Sequence, residues 1–297
     1  MNRNDIAFAR VHPTVLFFYF FCLILFTVFT QNPVLLFSAL CGGILFCAVT
    51  NTAKKNLAAA KFYVPMFLLV SLTNPIFSHS GATPLFFMND NPVTLEALLC
   101  GVDLAVQVCA VMLICGAFSR VMESDKLLAL FGKLSPRLAT VLSMALRFIP
   151  LLKRKWGEIC EAQRALGYFR EESFFDRIAS YTRVFSALVT WALESSVDTA
   201  ASMSARGYEL AGKKHFSLFR FTRGDGIMLA LTASLSAVTL FGILLGKADF
   251  AFYPRISEIN TDIFAIITYA AFGTLALLPF IFEVKEALKW KYLRSKI

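Results

Sequence analysis

Polar residues almost vanish from six stretches of the chain, at about residues 13–30, 33–50, 60–77, 96–118, 227–246 and 262–282. A helix crosses the hydrocarbon core of a bilayer with about 20 mostly apolar residues. Each stretch therefore predicts a membrane-spanning helix. The link Gln31-Asn32-Pro33 joins the first two so closely that it predicts the tight turn of a helical hairpin. The fourth stretch carries Asp103 and Gln107, one helical turn apart. An ionisable group at that depth faces the protein interior or water.

Between the fourth and fifth stretches, residues 119–226 show a different pattern. Ser124-Asp125 reads as a helix start followed by Leu127, Leu128, Leu130, Phe131 and Leu134. Pro136 breaks that pattern and opens a second segment, apolar over 138–152 apart from Arg147 and Pro150. This segment then turns polar through Lys153, Arg154, Lys155 and Glu158 and reaches Gly167. A third segment starts near Ser173 and places Phe174, Ile178, Tyr181, Phe185, Leu188, Ala192 and Met203 at spacings of three and four, the helical period. As one helix, residues 173–205 reach roughly 50 Å. The pattern predicts an all-α integral membrane protein of about six transmembrane helices, with long amphipathic cytoplasmic helices between spans four and five. The expected division is 1–118, 119–226 and 227–297. Two readings of the middle region stay open: a bundle capping the membrane domain, and a lever between the membrane and a cytoplasmic partner.

Composition fits this picture. Of 297 residues 57% are apolar and only 16% charged, and Phe alone contributes 31. A soluble domain is nearer half apolar and a quarter charged. The net charge of +9 first suggests nucleic acid. With six spans, however, 27 of the 29 Lys and Arg residues fall on one side, leaving Lys247 and Arg255 on the other. Short loops and tails alone divide ten against two. That bias marks the cytoplasmic face, so both termini are expected in the cytoplasm, in a multi-pass protein of the cell membrane with no nucleic-acid partner. The first apolar run lacks a signal-peptidase-like site and is followed at once by another, so no cleaved leader is expected. Cys22, Cys41, Cys47, Cys100, Cys109 and Cys115 lie in or beside apolar stretches without a CxxC, and read as packing residues.

Two similar tracts end the two long cytoplasmic segments: Ala162-Gln163-Arg164-Ala165-Leu166-Gly167-Tyr168 and Ser202-Met203-Ser204-Ala205-Arg206-Gly207-Tyr208. Glycine after the last turn suits a left-handed helix cap, and a nearby arginine complements the helix dipole. Ordinary helix termination explains either tract alone. The repeat of one order forty residues apart also fits a docking tip, where small residues let a partner approach and a guanidinium offers a planar fork to carboxylates or carbonyls. Gly207-Tyr208-Glu209-Leu210-Ala211-Gly212-Lys213-Lys214 nearly spells a phosphate-binding loop. Lys214 stands where a hydroxyl must hold magnesium, and a helix rather than a strand precedes it, so no nucleotide site is expected. His12, His79 and His215 form no metal motif, and Glu171-Glu172 reads as a solvated turn. No catalytic, cofactor or metal residues are assigned.

The paired tracts resemble the Ala-Arg-Gly motifs of the transmembrane T component of energy-coupling factor transporters, the EcfT/CbiQ family. Other tracts are similar to that family's signatures too: His12-Pro13, Asn74-Pro75-Ile76-Phe77 with His79, Gly81, Thr83, Leu85 and Phe86, Thr94-Leu95-Glu96-Ala97-Leu98, Leu134-Ser135-Pro136, and Ala145-Leu146-Arg147-Phe148-Ile149-Pro150. The resemblance covers nearly the whole chain. It implies a non-catalytic scaffold whose coupling helices dock two cytoplasmic ABC ATPases, which bind the ATP. A small membrane S component would hold the vitamin or metal ion. The docking residues implied are Gln163, Arg164, Ala165, Leu166 and Gly167 at one tip and Ala205, Arg206 and Gly207 at the other. Phe174, Phe185, Leu188 and Met203 are candidate contacts of the S component. Leu166 departs from the family's arginine at the middle of the first motif. The competing expectation is a conventional permease with its own substrate path past Asp103 and Gln107.

Overall fold

In the computed structural model the described residues are 7–51, 53–78, 81–88, 91–168, 174–208 and 219–294. They divide into two compact units, one of Met1–Lys126 with Phe219–Ile297 and one of Leu127–Leu218.

The first unit holds the apolar helices: α1 (Pro13–Phe29), α2 (Pro33–Thr50), α3 (Ala53–Phe77), α4 (Leu95–Val121), α8 (Arg223–Leu244) and α9 (Ile263–Arg294). Five of them, α2, α3, α4, α8 and α9, are long and apolar enough to cross a membrane, and α1 is an apolar helix of 17 residues. The protein is thus an all-α, multi-pass membrane protein. Helix α4 packs against α1, α2 and α3, while α9 packs against α2 and α8. Several helices outrun the apolar stretches that foretold them. Helix α3 begins at Ala53 and α9 runs on to Arg294, because lysine, leucine and alanine sustain a helix after the hydrocarbon has ended. Two tight turns start with side-chain caps. His12 Nδ1 accepts from Thr14 N at 3.2 Å, and Asn32 Oδ1 accepts from Val34 N at 3.0 Å. Pro13 and Pro33 fill the first helical positions, where no N–H is needed.

Between α3 and α4 lies a short hairpin, β1 (Pro84–Met88) antiparallel to β2 (Asn91–Thr94). Thr83 Oγ1 donates to Glu96 at 2.8 Å, and Asn74 Nδ2 donates to the Ala97 carbonyl at 3.0 Å. The first bond ties the residue before β1 to the start of α4, and the second ties α3 to α4 beside the hairpin. The tract Gly242 to Gly246 splits between two tasks. A Cβ on Gly242 would collide with Thr268 of α9, so this position allows close packing, whereas Gly246, at φ +67°, ends α8. A Cβ on Gly42 of α2 would lie 2.5 Å from the Ala276 carbonyl oxygen of α9. Small residues thus set both helix contacts.

Residues 7–12, including a 3-10 turn at Phe8–Arg10, are held by buried charges from three other elements. Glu283 of α9 accepts from Phe8 N at 3.0 Å. Asp225 of α8 accepts from His12 N at 3.0 Å. Lys126, at the start of α5 (Ser124–Leu134), donates to the carbonyls of Ala9 and Val121, both at 2.6 Å. Burial holds the Lys126 ammonium below the usual lysine range, with Glu123 opposing the shift. Phe8 sits edge-on to Tyr19, Phe20, Phe46 and Phe282, so an aromatic cluster seats the same strap. Thr222 and Asp225 complete a capping box at the start of α8. Replacing Lys126 by Met leaves two carbonyls without their charged donor. Each unmet buried group costs about 1–3 kcal/mol. We expect Lys126→Met to lower the thermal midpoint of the detergent-solubilised protein and to speed protease cleavage before residue 12. Unchanged values for both would show that the clasp does not hold the segment.

Candidate functional site: two helix tips

The second unit contains α6 (Pro136–Ala165) and α7 (Phe174–Ala205), which pack on each other. At 30 and 32 residues they extend about 45 and 48 Å. Trp156 of α6 stacks on Tyr181 of α7 with ring centroids 6.2 Å apart, and the Lys155 ammonium lies 5.5 Å from the Trp191 ring. Lys155 also pairs with Glu158 at 2.6 Å. These aromatic and cationic contacts join the helices where the apolar half of α6 has given way to its charged half. Ser180 and Val184 are the buried positions of α7.

Both helices end in one and the same cap. At the first tip, Gly167 N donates to Arg164 O and Tyr168 N to Gln163 O, each at 3.0 Å. At the second, Gly207 N donates to Ser204 O at 3.0 Å and Tyr208 N to Met203 O at 3.1 Å. Gly167 and Gly207 share a φ of +73°. This is the Schellman arrangement, and a left-handed residue is its requirement. The same bonds close α8 at Gly246 and Lys247, so the backbone geometry by itself signifies only a helix end. The side chains distinguish the tips. Leu166 and Arg206 occupy the same cap position, and both are exposed, Leu166 at 69%. Arg206 has no ion-pair partner among the described residues, while Arg164 takes part in further contacts. Exposed Tyr168 and Tyr208 flank them. Ala165 and Ala205, also exposed, add no bulk. Gln163 is half-buried, with its side-chain oxygen unpaired.

Of the four apolar residues singled out on the sequence, Phe174 and Phe185 are 71% and 59% exposed. Leu188 and Met203 are half-buried. The exposed stripe of α7 continues instead through Val189, Leu193 and Val197. The four-residue spacing carries it there, which the sequence pattern contained but did not separate from the buried face.

Asp103 and Gln107 do not converge on one path. Gln107 Nε2 donates to the carbonyls of Thr27 at 3.0 Å and Val28 at 2.8 Å, satisfying the end of α1. Asp103 instead lines a cleft shared with α2 and the connection before α9. Among the described residues no three His, Cys, Asp or Glu side chains come together in a way that would hold a metal. His79, His215, Glu171, Glu172, Ser173 and the stretch 209–214 lie outside the described residues.

Residues 7–217 match the family CbiQ, described as cobalt transport protein. Among similar curated proteins is the energy-coupling factor transporter transmembrane protein EcfT of Thermotoga maritima, 28% identical over 189 residues, 59% of this chain and 68% of that one. The EcfT of Bacillus selenitireducens is 23% identical over 258 residues, covering 82% of this chain and 95% of the relative. That of Listeria innocua is 36% identical over 103 residues, covering 34% and 39% respectively.

Left-handed backbone costs a residue with a Cβ about 1–2 kcal/mol. Gly167→Ala and Gly207→Ala should therefore each fray one tip and to a similar degree. Amide hydrogen exchange at residues 166–168 and 206–208 should accelerate in the respective variant. Protection equal to the parent protein would show that the caps do not depend on glycine.

Proposed function

This chain belongs to the CbiQ family, and from that premise we propose that it is the T subunit of an energy-coupling factor importer, the scaffold through which two cytoplasmic ATPases drive a separate substrate-binding S component. That it is a transmembrane component of such a transporter follows from the family and from the relatives' names. The rest is our reading of the residues, including a position in the cell membrane with both termini in the cytoplasm.

The observation that carries this reading is the repeated cap. Two long helices bear the same backbone at their ends, each presenting an exposed side chain at the same position flanked by alanine, glycine and tyrosine. An ATPase groove would receive each tip. ATP binding would draw the two ATPases together and shift α6 against α7, and the exposed apolar stripe of α7 at Phe174 and Phe185 would pass that shift to the S component. ATP is bound and hydrolysed by the partners, and the vitamin or metal ion is held by the S component. This chain supplies neither catalysis nor a cofactor. The test of composition is co-purification, in which the tagged chain should retain two ATPases and one small, highly apolar protein. Substrate binding by the chain alone would favour the permease reading instead.

The tips are chemically unequal. Arg206 can enter a charge-assisted bond inside an ATPase groove, whereas Leu166 can only pack. Truncating one partner of a buried charged contact costs about 2–5 kcal/mol. Arg206→Ala should thus weaken ATPase capture at least tenfold and abolish uptake while the protein remains folded. Leu166→Ala should cost less, since it removes apolar contact alone. A pull-down with both variants decides: equal losses, no loss from either, or normal uptake by Arg206→Ala would refute the assignment.

A further inference from the structure

At the end of the bundle away from Lys126 lies a cleft of about 510 Å³, walled by Phe37 of α2, Leu99 and Val106 of α4, and Phe252 and Ile256 of the connection between α8 and α9. Asp103 sits in this wall, and every other lining side chain is apolar. Asp103 is eight residues into α4, about 12 Å from its start, and only 7% exposed. Its carboxyl group makes no hydrogen bond or ion pair among the described residues. The rim is open: Phe37, Leu99, Ile256 and Ile259 are exposed apolar residues.

A buried carboxylate without a donor is costly, and within a membrane span such a group marks a site of function. No described residue supplies that donor, and the open cleft beside Asp103 has room for one from outside the chain. A bare metal ion does not suit the cleft, because calcium and magnesium need several oxygen ligands and Asp103 is the only lining side chain that carries one. A guest that brings its own N–H donors together with an apolar body satisfies both parts. We propose that this cleft binds an alkylammonium group, with the headgroup amine of an aminophospholipid paired to Asp103 and its acyl chains lying along Phe37, Leu99 and Val106. The rim residues then meet the guest's chains rather than water.

Purified full-length protein, delipidated in detergent, is to be titrated with phosphatidylethanolamine, phosphatidylcholine, phosphatidylglycerol and tetradecylammonium, with bound ligand counted by native mass spectrometry. Phosphatidylethanolamine should bind at least tenfold more tightly than phosphatidylcholine, whose quaternary nitrogen has no N–H to donate. The preference should disappear in Asp103→Asn. Val106→Trp keeps the carboxylate but fills the cleft, and should also lose the lipid, which guards against misfolding of the first variant. Tetradecylammonium bound through Asp103 while phosphatidylethanolamine is ignored would keep the ammonium site and overturn its lipid source. No Asp103-dependent binding of either amine, or equal binding of all three lipids, would overturn the proposal.

Discussion

The first unit depends on a short strap, mostly apolar and with a single 3-10 turn, that lies outside every long helix. Residues 7–12 offer backbone groups that no helix uses, and three buried charges meet them from α5, α8 and α9. Backbone polar groups away from water must be paired, and a buried charge must be compensated. Each requirement here answers the other. The strap also marks a boundary. The chain leaves this unit at Lys126 and returns to it at Phe219, a few residues before Asp225. The two roots of the long intervening segment are therefore tied to one piece of backbone, and the aromatic cluster around Phe8 keeps water from competing for the bonds.

Little of this clasp was legible in the sequence. Lys126, Asp225 and Glu283 belong to no motif in the sequence, and the strap partners of the three lie 117, 213 and 275 residues away. No periodicity encodes such distances. The spans were legible because hydrocarbon thickness imposes a minimum apolar length. Their ends were not, since Lys54 or Lys289 is as content in a helix as in a loop. The hairpin at Pro84–Met88 and Asn91–Thr94 was hidden for another reason: its strands are only five and four residues long, and Glu96, which holds Thr83 at its start, lies outside them.

The tips were legible in outline, because glycine after a helical turn has a physical cause that sequence displays directly. The side of α7 that lies open was less so. Phe174 and Leu188 belong to one apolar run, yet one is exposed and the other half-buried. A run of three and four spacings over 32 residues drifts around the helix. One stripe can then begin on the open face and finish on the packed one.

The two long helices differ along their length as well as at their ends. Pro150 stands inside α6, where it has no N–H for the carbonyl of Leu146 and its ring crowds that turn. Helix α7 has no interior proline. A push on a tip travels undiminished only along an unbroken ladder of hydrogen bonds, so α7 is the stiffer rod. It also carries Arg206 at the cap position, where α6 has Leu166. On the function proposed above, the charged cap residue and the stiffer shaft thus fall on one helix. Helix α6, with Leu166 at its end and a weakened turn at its middle, is better suited to yield. If the pair transmits movement, the asymmetry assigns α7 the driving part, with the stacked Trp156 and Tyr181 as the point where one helix bears on the other.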